Sequence, residues 1–326
     1  MTARCWPPIE AVAVLELVRR RFSGSVMTAL FVASLRLVAA AEPGPNVATQ
    51  GDALFSRTLR VGPSGALDLS NVSGDVEIRG GPGDEIEIAA QKDGDPSLVD
   101  IEVSQTADRV RVETRYKTRT DGGASVDFTV TVPAGTTVSA RSVSGDVGLH
   151  DVTGEIRAES VSGDVTVANA GNLLLAKSVS GDVMIQSATS QKEPEISSVS
   201  GDVLVSGLSA RGVTVNSVSG DVVLTDTDCE RASVESMSGA IRYGGNIAPR
   251  GRYEFQSHSG NVELRIANEI GFELAAKTFS GSIESDFPIT PNAGGRGDGD
   301  VRGVYGDGSA LVQASTFSGN VSITRE

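Results

Sequence analysis

Residues 156 to 167 read Ile156-Arg157-Ala158-Glu159-Ser160-Val161-Ser162-Gly163-Asp164-Val165-Thr166-Val167. Ahead of the Ser-Gly pair, the apolar or small Ile156, Ala158 and Ser160 alternate with Arg157 and Glu159. Beyond it, Val165 and Val167 flank Thr166. Alternation with a period of two is the mark of a half-buried strand, so the segment predicts two short strands joined by a turn. Glycine suits a turn that a Cβ would obstruct, and aspartate can bond back to its own turn.

The segment recurs along the chain. Val-Ser-Gly-Asp-Val begins at Val72, Val143, Val161, Val179, Val199 and Val218, and relaxed copies carry Ser238-Gly239, Ser259-Gly260, Ser280-Gly281 and Ser318-Gly319. The glycines at 145, 163, 181, 201, 220, 239, 260 and 281 are 18 to 21 residues apart, and the last gap, 38, matches two coils. The same alternation surrounds the other copies, as in Leu174, Ala176, Ser178 and Val213, Val215, Ser217. A single two-strand unit cannot bury its apolar face, so successive units must stack at roughly 4.8 Å per coil. The fold class is therefore all-β, a parallel β-solenoid (β-helix) with coils of about 19 residues.

Composition fits a thin coil. Between Thr129 and Arg242 there is no Phe, Tyr or Trp in 114 residues. A ring on one coil would need matching room on its neighbours. The hydrophobic fraction of 39% is too high for a disordered acidic chain. Residues 42–140 carry longer strands and read as an N-terminal β cap with irregular first coils, and 141–326 as the regular repeats. The Gly/Pro-rich stretch 286–309 reads as a loop inserted before the final coil. Tyr243, Tyr253, Phe255, Phe272, Phe279 and Phe317 are expected to widen and close the C-terminal end.

The first 41 residues read as a signal peptide: Arg19-Arg20-Arg21 precede an apolar run from Val26 to Val38, followed by Ala39-Ala40-Ala41. The run is too short to span a bilayer, so export without a retained transmembrane segment is expected, to the periplasm, outer cell envelope or extracellular space. The arginine run also loosely matches a twin-arginine signal. Removing five of 28 basic and two of 42 acidic residues leaves 23 and 40, a net charge of −17. That charge opposes nucleic acid and anionic membrane surfaces. Only Cys229 lies beyond the signal, so no intrachain disulfide can form there. With neither His150 nor His258 near it in sequence, it reads as a packed or idle thiol.

Stacking sets Asp146, Asp164, Asp182, Asp202 and Asp221 in one file. Calcium could relieve their mutual repulsion, since carboxylates suit hard ions. The file lacks a calcium-roll spacing and ends in Ala240, Asn261 and Ser282, so turn formation is the favoured reading. No catalytic set emerges, and a carboxylate spacing of about 5 Å, which suits a retaining glycosidase, arises here from stacking alone. A polysaccharide-active lyase or hydrolase on a similar helix is the enzymatic alternative. Met184, Leu204 and Val223 fall on an outward parity in three consecutive coils and form a candidate interaction surface, self-association included. The residues just before each Ser-Gly pair, Val143 to Phe317, would also turn outward under strict alternation, but a turn that rotates them into the core is the favoured expectation. His258 in that file reads as a tolerated turn residue. Arg296-Gly297-Asp298 spells an integrin-read tripeptide, of the kind that recurs by chance in glycine-rich loops.

The repeated Val-Ser-Gly-Asp-Val, the Thr129-Val130-Thr131-Val132-Pro133-Ala134-Gly135 segment and the closing Ser315-Thr316-Phe317-Ser318-Gly319-Asn320-Val321 resemble the bacterial candidate-adhesin family of exported β-strand-repeat proteins, a domain of unknown function. The resemblance spans roughly Leu54 to the C-terminus. It implies an exported, non-enzymatic solenoid whose partner is an unknown envelope or cell-surface ligand, protein or polysaccharide. It brings no catalytic residues and no cofactor.

Overall fold

Strands flank the turn glycines of the repeat in an all-β, mostly parallel sheet. The computed structural model describes residues 53–117, 123–267, 269–297 and 299–326; the signal segment 1–41 lies outside the described residues. Strands dominate, with one short 3-10 turn at Pro96–Leu98. In the quoted segment, Glu155–Ser162 and Val165–Ala170 are strands on either side of the Gly163 turn. The first pairs in parallel with Thr137–Ser144 and Asn172–Ser178, the second with Val147–His150 and Val183–Ser190. Like stacks on like: Ala158 on Ala140 and Ala176, and Val165 on Val147 and Val183.

The inward files of both faces share one core of Val, Ile, Leu and Ala, into which Phe128, Tyr253, Phe255 and Phe272 are the large insertions. From Val203 onward single strands run round the far corner of the coil, as Val203–Ser219, Val222–Ser238 and Ile241–Ser259. That corner has a residue signature of its own, six positions after each turn glycine. Asp151, Asn169, Ser187, Gly207 and Asp226 all adopt positive φ, between 50° and 70°. Asn, Asp and Gly tolerate this left-handed conformation best, so the Asx and Gly residues of that file were a legible corner signal.

Both ends of the stack depart from sequence order. The strand Ala66–Ser73 lies between Thr137–Ser144 and Arg109–Tyr116, all parallel. Val76–Gly81 likewise lies between Val147–His150 and Ala124–Pro133. The Val72 copy is thus a full rung, and the later strands Arg109–Tyr116 and Ala124–Pro133 form the rung outside it. Antiparallel strands finish this end: Val99–Thr106 on Arg109–Tyr116, Glu85–Gly94 on Ala124–Pro133, and Leu54–Arg60 on Glu85–Gly94. Their edges are blunted by side chains. Arg57 Nη1 donates to Val103 O at 3.2 Å, Gln105 Nε2 to Arg60 O at 2.7 Å, and the buried Lys92 Nζ to Val99 O at 3.0 Å. Inward-pointing charge on edge strands opposes pairing with another chain.

At the other end Ala310–Ser318 is inserted between Ile241–Ser259 and Phe272–Ser280, so the last coil in sequence is not the last in space. The stretch expected to be a loop, 286–309, contains two antiparallel strands, Thr290–Gly297 and Asp300–Tyr305, and the second pairs with Phe272–Ser280. The 38-residue gap is therefore one coil plus a hairpin rather than two coils. Without the hairpin, Phe272–Ser280 would be a long strand with an open edge. Phe287 and Tyr305 pack on Phe272, with ring centroids 5.2 and 5.4 Å away, and close the core there.

Candidate interaction surface

Each residue of the Ser-Val-Ser-Gly-Asp-Val rung has a separate task. The first serine is buried, and on three consecutive rungs its hydroxyl donates to the glycine carbonyl of the preceding rung: Ser160 to Gly145 at 3.0 Å, Ser178 to Gly163 at 2.8 Å, Ser198 to Gly181 at 2.9 Å, whereas Ser217 turns to its own Gly220 at 3.5 Å. Thr316 and Thr278 do the same to Gly260 and Gly319 near the C-terminal end. The glycines approach one another so closely that a Cβ on Gly163 would overlap the carbonyl oxygen of Gly145, and so on along the file.

The sequence places the aspartate bonds within their own turns; in the structure these side chains link one rung to the next. Asp146 Oδ1 accepts the backbone N–H of Asp164 at 2.8 Å, Asp164 that of Asp182, Asp182 that of Asp202, Asp202 that of Asp221, and Asp221 that of Ala240. Asp127 and Asp75 extend the ladder at one end, and Asn261 and Asn320 at the other. A side-chain acceptor is well placed to bond the neighbouring rung because equivalent residues sit in register. The Asp146 carboxyl is held above its ordinary value, by desolvation first and by the charges of Asp75 and Asp164, against the lowering effect of the accepted amide. Among the described residues no group of three or more His, Cys, Asp or Glu is gathered closely enough to hold a metal ion.

The residue between the two serines turns outward, which corrects the expectation that the turn would rotate it into the core. Val72, Val143, Val161, Val199, Val218, Met237, Phe317 and Phe279 are all exposed, Phe279 at 77%. The serine anchored on the preceding rung fixes the parity of its neighbour, so the turn cannot rotate the file inward. Val179 is half-buried and His258 exposed in the same file. Because the final coil is inserted, the spatial sequence at the C-terminal end is His258, Phe317, Phe279. These rings stack face to face, 5.1 Å apart at 8° and then 4.7 Å apart at 4°. Two shallow depressions lie beside the ribbon. One is lined by Val72, Val143, Val161, Arg141, Glu159 and Lys177, the other by Gln256, His258, Lys277, Phe279, Ser315 and Phe317. Arg141 Nε and Glu159 Oε1, in register on adjacent rungs, pair along the file beside the ribbon at 3.1 Å.

Met184, Leu204 and Val223 are brought together as adjacent rungs on the opposite sheet face, in direct register, but each is only half-exposed. His150 is held by Glu77, Nε2 to Oε1 at 3.2 Å. Cys229 is buried in the core, and burial pushes its thiol up to about 12, which makes it a poor nucleophile. Arg296-Gly297-Asp298 falls partly outside the described residues at Asp298. No helix among the described residues is long and apolar enough to cross a membrane.

Solved structures that match the chain include a candidate adhesin from Bacteroides fragilis, 12% identical over 84% of this chain and 98% of the other, with a TM-score of 0.38. Others are a candidate adhesin from Parabacteroides merdae, 14% identical over 65% and 95% with a TM-score of 0.34, and a candidate cell adhesion protein from Clostridium sporogenes, 10% identical over 84% and 100% with a TM-score of 0.23. No curated protein matches. The family model described as Toastrack DUF4097 matches residues 65–324, nearly the whole repeat region, and the chain belongs to that family.

Proposed function

We propose that this protein is a non-catalytic, exported β-solenoid scaffold that acts in adhesion or cell-envelope interaction, with coils of about 19 residues and residues 42–140 serving as its N-terminal β cap and irregular first coils. The observation that carries the reading is the apolar ribbon from Val72 to Phe279, which keeps large hydrophobic side chains in solvent on rung after rung. Contiguous exposed apolar surface of this kind marks an interaction site in a folded protein. The polar groups beside the ribbon are largely committed to one another or to the backbone, as in the Arg141–Glu159 pair and the Asp ladder, which favours a recognition surface over a polysaccharide-cleaving groove.

The test is capture of partners from an envelope extract by the full protein and by a Val161→Glu, Phe317→Ser variant that folds equally well. Capture by the first and not by the second is expected. Equal capture by both would move the binding surface elsewhere, and new reducing ends from incubation with a panel of acidic and neutral polysaccharides would replace the reading with an enzymatic one.

A further inference from the structure

The ribbon has a property that narrows what can cover it: it is periodic with the rise of the coil, roughly 4.8 Å. Rungs at Val72, Val143, Val161, Val179, Val199, Val218, Met237, His258, Phe317 and Phe279 follow one another in register. A surface that meets every rung equivalently must repeat with the same rise, and the surface known to do so is the same ribbon on another molecule of this chain. The stacked rings argue against a sugar polymer lying along the ribbon. His258, Phe317 and Phe279 turn their faces to one another along the stack at 8° and 4°, so a polymer running along the ribbon meets ring edges rather than faces.

We propose that the ribbon is a homodimer interface in which two copies lie side by side. From the exposed fractions of its Val, Met and Phe side chains, the ribbon offers on the order of 700 Å² per copy, close to the roughly 800 Å² per partner of a standard interface. Its flanks differ in a way that selects the orientation. On one side runs the carboxylate file Asp75, Asp146, Asp164, Asp182, Asp202, Asp221; on the other, two residues before the ribbon, a mixed file that includes Arg141, Lys177 and Lys277. Antiparallel rods would set the two carboxylate files against each other. Parallel rods, related by a twofold axis along the stack, set each carboxylate file against the partner's mixed file. The parallel arrangement is the electrostatically favoured one, and it brings each rung against the same rung of the other copy. The blunted strand edges at the N-terminal end disfavour end-to-end growth and leave lateral pairing as the open route.

The second copy and an envelope partner would compete for the same ribbon, so the two readings fail separately: failed capture leaves the dimer standing, and a monomer at all concentrations leaves the adhesive reading standing. Sedimentation velocity of the full protein across a wide concentration range is expected to show a monomer–dimer equilibrium. Val199→Glu combined with Phe317→Ser should weaken the dimer by about a hundredfold or more, with unchanged circular dichroism and melting. Leu204→Glu, on the opposite sheet face, should leave it intact. Because Val199→Glu could perturb the stack, single cysteines supply an independent arm. Under mild oxidation Val72→Cys and Phe279→Cys should each cross-link to themselves, as parallel pairing requires. A monomer at all concentrations, a dimer insensitive to the ribbon substitutions, or self-cross-linking at neither end of the rod would overturn the proposal.

Discussion

At the residue scale, each position of the rung is constrained by the rung before it. Gly201 shows this most simply, since a Cβ there would overlap the carbonyl oxygen of Gly181. Gly201→Ala should cost about 2–3 kcal/mol in chemical denaturation, as overpacking does when neither backbone can move away. Asp146 tests the aspartate ladder through its charge. Its folded carboxyl lies above its ordinary value, so ionisation is easier in the unfolded chain, and stability is lost as pH rises through the window between the two values. Asp146→Asn keeps the oxygen that accepts the Asp164 amide and removes the charge. It should therefore melt at the same or a higher temperature than the parent at neutral pH, with the difference closing in acid, where the parent carboxyl is protonated too. At the far corner, Ser187 holds φ at 53° where its neighbours in the file are Asn, Gly and Asp. Ser187→Gly should raise stability by up to about 1 kcal/mol, measured by denaturant midpoint. The turn glycines and the strand parities were legible in the sequence because each is a local requirement repeated ten times. The direction of the aspartate bonds was not, since an Asx side chain can satisfy its own turn or the next rung equally well, and only the stacking geometry chooses.

At the element scale the hairpin within 286–309 does what a loop could not. It supplies an antiparallel partner to Phe272–Ser280 and, through Phe287 and Tyr305, a lid of rings over Phe272. Arg325 lies over the Phe287 ring at 5.0 Å, tying the last strand to the same lid. Replacing residues 290–305 with a short flexible linker should expose a nine-residue strand edge and lead to aggregation on warming, followed by light scattering. The segment looked like a loop because its Pro and Gly residues depress strand propensity. What makes it strand is the edge it covers, a tertiary cause that outweighs local preference.

At the scale of the whole molecule, out-of-order stacking makes the C-terminal coil an internal member of the rod. Strands Ala310–Ser318 and Val321–Arg325 each sit between two others. Deleting 310–326 should therefore not shorten the rod by one turn; it should disconnect the 272–285 coil and its hairpin, visible as new protease sensitivity from about residue 267 onward and loss of the folded baseline by circular dichroism. The ion pairs along the surface, such as Arg141–Glu159 and Lys192–Glu155, are exposed and contribute little to this architecture. The chain alone determined the two strands per rung, the inward Val and Ile files, the turn glycines and the thin core, free of rings from Thr129 to Arg242, because all of these follow from alternation and steric fit within a coil. Which coil lies next to which was decided only by the tertiary structure. Every coil presents the same register of backbone donors and acceptors to its neighbours, so pairing by itself is degenerate. The entropic cost of a longer connection grows only slowly with its length, which lets the chain leave the stack, build its end and return. That choice sets His258, Phe317 and Phe279 in their spatial order, and with it the aromatic end of the ribbon.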